Sequence, residues 1–332
     1  MIKSAKSKSK FDKSYNGLFV IGDPHVEGRK PNFRCDEYPQ VVLDKLRWCL
    51  QHAAEQRLLP VFLGDVFEKP RDNPTWMVGQ LVEIMIDSGA VGIYGNHDCA
   101  EPQLTDNDSL MILIKAGCMQ LVSAETPWVG LVNGRKTVIG GSSYREPVPE
   151  RFELEDLPKE NLFDEQPMVV WLTHHDIDIG DYENGRIKPF SIENVPLLIN
   201  GHIHRRMDPV EVGETLWMTP GNISRRSRSD AARRHDPAAL LVTVSPPAKP
   251  LAFETKYVTV PHESAEKVFY EAVADELADL GPSAFIAGLR ELQQTRTESG
   301  AGLHEFLQKN IQQFSDDVAS EIMTLAETVT SK

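Results

Sequence analysis

The sequence predicts an α/β fold built on parallel strands. Three observations carry that expectation. Short apolar runs alternate with stretches of helical period. Each run halts at glycine or a polar residue. The polar residues at those halts are Asp, Asn and His again and again.

The elements follow in order. Residues 18–21 are an apolar strand ending in Gly22-Asp23-Pro24-His25, where Pro24 stops the ladder. Asp23 and His25 are two apart and share one face of an extended chain. Residues 36–57 form a helix, with Val42, Leu46, Leu50 and Ala53 at three-to-four spacing. A strand at 61–63 ends in Gly64-Asp65, and the strand–helix–strand order predicts parallel pairing through a right-handed crossover. Glu68, three residues on, reads as a solvated loop carboxylate. Asn73-Pro74 reads as an N-cap and first helical position for a helix carrying Met77, Leu81, Ile84 and Met85. The strand at 91–94 runs into Gly95-Asn96-His97-Asp98. A short helix at 109–116 precedes a hairpin whose Asn133-Gly134 marks a type I′ turn, returning at 137–140. Residues 146–166, rich in Pro, Glu and Asp, read as a surface excursion. Strands at 168–172 and 197–199 end in Thr173-His174-His175-Asp176 and Gly201-His202-Ile203-His204. Residues 216–218 run into a turn at Pro220-Gly221-Asn222, and 240–244 and 252–260 close the sheets. After Pro261 the composition turns helical and acidic, with one apolar stripe over 302–330.

Composition narrows the function classes. The chain has 332 residues, 41% of them hydrophobic, which permits a large domain with a smaller one and argues against global disorder. No apolar run reaches the about 20 residues of a membrane span, and the lysine-bearing start lacks a signal-peptide core. Cys35, Cys49, Cys99 and Cys118 show no paired spacing and read as reduced thiols of a cytoplasmic protein. The net charge of -14 argues against a generic nucleic-acid coat, yet Arg205, Arg206, Arg225, Arg226, Arg228, Arg233 and Arg234 crowd one stretch.

The strand ends supply Asp23, His25, Asp65, Asn96, His97, His174, His202 and His204. One metal ion cannot use so many donors, whereas two that share a carboxylate can. Of the adjacent histidines, His174 is nearer the strand and is the expected ligand, with His175 behind it or in the loop. Mixed Asp, Asn and His donors suit Mn²⁺, Fe or Zn²⁺ better than Mg²⁺.

Taken in order, these motifs resemble the calcineurin-like metallophosphoesterases, whose signature is DxH, GDxx(D/E), GNH(D/E), a histidine after a strand, and GHxH. The matching segments are Asp23-Pro24-His25, Gly64-Asp65-Val66-Phe67-Glu68, Gly95-Asn96-His97-Asp98, Thr173-His174 and Gly201-His202-Ile203-His204. The resemblance implies a four-layer α/β/β/α sandwich with two divalent ions, Mn²⁺ first among the candidates, at the sheet edges. It gives Asp23, His25 and His204 to one ion, Asn96, His174 and His202 to the other, and Asp65 to both. The implied nucleophile is a hydroxide between the ions. His97, held by Asp98, would protonate the leaving oxygen or steady the phosphoryl charge.

Within that superfamily the chain is most similar to SbcD-type DNA repair nucleases. The likeness rests on Asp23-Pro24-His25 near the start, Asp36-Glu37, and Thr219-Pro220-Gly221-Asn222 followed by Arg225, with Asn222 where those nucleases carry Ser. It implies a DNA exonuclease or endonuclease, with Arg205, Arg206, Arg225 and Arg226 contacting phosphates. The alternative is a metallophosphatase or cyclic-nucleotide phosphodiesterase. The expected organisation is a disordered basic tail at 1–15, the nuclease domain at 16–260 and a helical capping region at 261–332. That last region is short for an SbcD-type C-terminus, as in a compact phage-encoded form. It would dock an SbcC-like ATPase or a second copy.

Overall fold

Alternate residues of the central strands face two different cores, and that alternation sets the layering. The computed structural model describes residues 14–31, 33–153, 167–182, 185–227 and 230–270. In β2 (Gly17–Ile21), Leu18 and Val20 point to one core while Phe19 and Ile21 point to another. Both faces are buried, so the strand reads as a continuous apolar run.

One sheet has the order β13-β12-β2-β3-β4-β5. Its members are β3 (Leu58–Phe62), β4 (Ala90–Gly92), β5 (Met119–Leu121), β12 (Ala238–Val244) and β13 (Phe253–Thr259) beside β2. The run β2-β3-β4-β5 is parallel, as the crossover pattern predicts, and β12 and β13 close it antiparallel. The other sheet has the order β1-β6-β7-β8-β9-β11-β10. It comprises β1 (Ser14–Tyr15), β6 (Trp128–Val132), β7 (Arg135–Ser142), β8 (Met168–Thr173), β9 (Leu197–Asn200), β10 (Val210–Val212) and β11 (Thr215–Met218). The hairpin turn between β6 and β7 has Asn133 and Gly134 at φ 50° and 77°, the left-handed pair that a type I′ turn requires.

The two sheets divide the main apolar clusters of the described residues into three layers. Helices α1 (Tyr38–Gln56), α2 (Thr75–Met85) and α3 (Leu110–Lys115) cover the first sheet through Tyr38, Leu46, Met77, Leu81 and Leu113. Leu63, Val91, Ile139, Val170, Leu197 and Ile199 fill the space between the sheets. Trp171, Ile179, Ile203 and Trp217 bury the outer face of the second sheet. This is the mixed α/β sandwich that the sequence predicts.

Several boundaries differ from expectation. Helix α1 starts at Tyr38, since Pro39 fits its first turn and the Asp36 carboxylate accepts from the Arg34 guanidinium. Asn73 is not the α2 cap. Its amide donates to Lys69 O and Ser109 Oγ, and Pro74 takes the N-cap position. Ser14 and Tyr15, expected in the tail, pair with β6; residues 1–13 lie outside the described residues. In the 146–166 excursion the described part is not all surface, because Phe152 is buried against Trp171. The first unit runs to Tyr270, past the boundary expected at 260. Helix α5 (Ala265–Val268) is the reason: Cys35 N donates to Val268 O, and Phe269 lies against Arg34. The stripe over 302–330 lies outside the described residues. No helix among the described residues is long and apolar enough to cross a membrane.

Candidate metal centre

Five strands deliver donors from their carboxyl ends, where the ladder stops and side chains escape the sheet. Asp23 and His25 follow β2, Asp65 follows β3, Asn96 follows β4, His174 follows β8, and His202 and His204 follow β9. The backbone is not extended there. Asp23, His25, Asp65 and His202 have φ of 37°, 48°, 48° and 70°. The expectation that Asp23 and His25 share a face of extended strand therefore fails. Left-handed turns aim them instead, a strained arrangement typical of ligand sites. Glycine is needed beside them. A Cβ on Gly95 would overlap the Asp65 carboxylate, and one on Gly22 would overlap the Gly221 carbonyl.

The donors meet in two groups. Asp23, His25, Asp65 and His204 offer ligand atoms within 4.8 Å of one another, and so do Asp65, His174 and His202. Asp65 belongs to both. Asn96 Oδ1 lies 3.1 Å from His174 Nε2 and 2.9 Å from His202 Nδ1, so it joins the second group. His25 Nε2 and His204 Nε2 are 2.8 Å apart. Other bonds fix the rings: His174 Nδ1 lies 2.7 Å from Leu63 O, and His25 Nδ1 lies 2.9 Å from Glu68 Oε2.

The electrostatics describe a place built for positive charge. Burial pushes the Asp23 carboxyl up. Burial also opposes ionisation of Asp65, yet the His174 and His97 rings hold its carboxyl well below the usual range. Burial disfavours charge on His174, but Asp65 and Asp23 raise it to about 10; Glu68 and Asp65 likewise raise His25 to about 9. His204 is pushed well below its ordinary value by burial and then by His25. Asp23 Oδ2 is buried and makes no hydrogen bond, and the buried Asp65 Oδ2 has the candidate donor nitrogens His174 Nε2 and His25 Nε2 beside it at 3.2 and 3.5 Å. Buried anionic oxygens without donors are costly, and divalent cations satisfy them. The residues fit a pair of metal ions.

The family profile of the calcineurin-like phosphoesterases matches residues 18–206, a span containing all seven of these donors. The chain belongs to the calcineurin-like phosphoesterases. No curated protein matches it significantly. Among solved structures it is similar to a hypothetical protein from Thermus thermophilus, at 14% identity over 74% of this chain and 99% of that one, with a TM-score of 0.41. It is also similar to a predicted phosphoesterase from Streptococcus pneumoniae, at 13% identity over 77% and 94% of the two chains, TM-score 0.34. A third likeness is to GAP50, described as the anchor in the inner membrane complex of Plasmodium, at 12% identity over 76% and 86%, TM-score 0.41.

Within this phosphoesterase centre two sequence expectations need correction. Asp98 does not hold the His97 ring. Its carboxylate is fully buried and accepts the backbone N–H groups of Gly95, Val66 and Phe67, clipping the β3 and β4 loops together. The His97 ring answers to Glu68 instead, with Nδ1 2.9 Å from the Glu68 carbonyl and 3.7 Å from its carboxylate. Arg225 and Arg226 are not displayed to solvent. Arg225 is buried and donates to His235 O and Glu263 O, while Arg226 pairs with Glu68 at 2.7 Å and Glu27 at 3.2 Å. Arg205 and Arg206 do reach the surface beyond His204.

The structure also places Glu68, Asp176 and His175. Glu68 is no solvated loop carboxylate, because it touches His25, His97 and Arg226; only its place in GDxx(D/E) hints at this in the sequence. Asp176 receives His202 Nε2 at 3.0 Å, a partner foreshadowed by its place two residues after His174. His175 bonds to Glu146 O at 2.8 Å, and burial lowers its pKa to about 4; His174, and not His175, belongs to a donor group.

Proposed function

We propose that the chain is a dinuclear-metal phosphodiesterase, most similar in role to the SbcD-type DNA exonucleases and endonucleases of repair and recombination. One observation carries the reading: the Asp65 carboxylate is common to both donor groups. Asp23, His25 and His204 would hold one ion, Asn96, His174 and His202 the other, with Asp65 bridging. Such a pair, when bound, supplies Lewis acidity and lowers the pKa of water. Mn²⁺ suits the mixed donor set, with Fe and Zn²⁺ as alternatives.

The chain's own residues do the rest. His97 Nδ1–H directed at the Glu68 carbonyl fixes the ring; when the ring is an imidazolium, its Nε2–H would give its proton to the leaving oxygen, which leaves the neutral Nδ1–H tautomer behind. Glu68 steadies His25 and His97 together, and Arg226 steadies Glu68. DNA is the proposed substrate. An SbcC-like ATPase, or a second copy, is the proposed partner of the C-terminal region at 261–332, in the cytoplasm.

A second reading keeps the centre and assigns a phosphoprotein or cyclic nucleotide as substrate. The inward engagement of Arg225 and Arg226 favours it, because two of the four expected phosphate contacts are occupied within the protein. A panel decides: Mn²⁺-dependent turnover is measured on linear DNA, hairpin DNA, a phosphoprotein and a cyclic nucleotide. The nuclease reading expects DNA to be cleaved. Robust turnover of the others with intact DNA overturns it.

A further inference from the structure

Immediately after the last imidazole of the centre, the chain enters a second cavity. It has a volume of about 300 Å³ and is lined by Arg205, Arg206, Arg234, His235 and Asp236. Its arginines come from two segments: Arg205 and Arg206 from the turn after β9, and Arg234 from the end of α4 (Asp230–Arg234).

The walls are held firmly. Asn222 N donates to His204 O at 3.2 Å, and Met207 N donates to Thr219 O at 3.0 Å. The His235 ring, whose pKa burial lowers to about 4, bonds through Nε2 to Asn222 O at 2.7 Å and is therefore neutral. Gly221, at φ 78°, lets these strands touch; a Cβ there would press on the Arg205–Arg206 peptide and on the His235 ring. Arg206 is oriented by the Tyr257 face, 3.6 Å from the ring centroid. Arg205 pairs with Asp181 at 2.7 Å, but that carboxylate is 78% exposed, so the pairing is weak and exchangeable. Asp236 is the acidic member of the lining, and it also lies 3.7 Å from Arg225.

We infer that this pocket receives a phosphate of the substrate other than the one being cleaved, the neighbouring diester of a polynucleotide, gripped by Arg205, Arg206 and Arg234. The inference rests on the phosphodiesterase reading and narrows its substrate class. Arg205 follows the candidate donor His204 in the chain, and Asn222 is bonded both to His204 O and to His235 Nε2, which ties the pocket wall to the backbone of the centre. Guanidiniums match phosphate oxygens in bidentate fashion. A cyclic nucleotide or a singly phosphorylated side chain has no second phosphate to place there.

The test uses chromogenic p-nitrophenyl esters of thymidine monophosphate, with and without a second phosphate on the other hydroxyl of the sugar, in both polarities. The Mn²⁺-loaded protein should prefer a doubly phosphorylated ester. That preference, a ratio of kcat/KM values, should fall at least about tenfold in Arg234→Ala, the equivalent of about 1.4 kcal/mol, and return in part in Arg234→Lys. No preference in the wild type, or an equal preference in Arg234→Ala, overturns the pocket. If no ester is cleaved, the phosphodiesterase reading falls, and inorganic phosphate titrated into the Mn²⁺-loaded protein decides the pocket alone. The pocket requires one more bound phosphate per chain in the wild type than in Arg234→Ala; equal stoichiometry excludes it.

Discussion

In the proposed reaction His97 is the general acid, and Glu68 is the residue that positions its ring. His97→Ala should lower kcat by about 10²–10⁴ while leaving metal content unchanged, as general acid catalysis predicts. Turnover assays paired with elemental analysis check it; a parallel loss of metal would recast His97 as a ligand. Glu68→Gln should reduce kcat as well, since it weakens the grip on His25 and His97 at once. Adding Arg226→Ala to it should cost little more, because the two side chains act through one contact. Lys45 offers a pH test away from the metals. It is buried on α1, donates to Ile223 O, and burial together with Arg34 and Arg225 lowers its pKa to about 7. In the unfolded chain a lysine titrates near about 10.4. The unfolded state therefore binds more protons between these values, and stability contributed by neutral Lys45 is full above the upper value and lost as pH falls through about 7. Relative to Lys45→Met, the wild type should gain stability in chemical denaturation as pH rises from 7 to 10; a flat difference refutes the assignment.

At the scale of elements, the strand ends work because glycines let loops from separate strands touch. Gly95→Ala should lower metal occupancy and activity together, since its Cβ would displace the Asp65 carboxylate and the His174 ring. A folded variant with full metal content would contradict that. Elements with strong periodic signals are legible in the sequence. Phe19 and Ile21 alternate with Leu18 and Val20, α1 shows its buried stripe, and Asn133-Gly134 names its own turn. Short edge strands such as β10 (Val210–Val212) carry too few residues for a period. The donors are legible because each follows an apolar run, but their left-handed φ values are not. The role of Asp98 is hidden because sequence adjacency to His97 cannot reveal that its oxygens go to the backbone of the β3 and β4 loops. Arg225 and Arg226 mislead similarly: a run of arginines looks solvated until a fold supplies carbonyls and carboxylates for it.

Over the whole molecule, two sheets and their helices exist to hold loop tips from residues 23 to 204 around a shared charge deficit. On the proposed reading, metal binding is coupled to folding. Chelation should lower the melting temperature as well as abolish activity, and Mn²⁺ should restore both. Thermal unfolding with and without chelator reads this directly. The net charge of -14 makes the arginine pocket a local exception on an acidic protein, so DNA turnover should fall as salt rises while cleavage of a small uncharged-leaving-group diester changes less. The most direct test of the account is anomalous diffraction from Mn²⁺-loaded crystals. Two peaks about 3.5–4 Å apart, with the Asp65 carboxylate between them, are the predicted result. A single peak, or two that do not share Asp65, would contradict it.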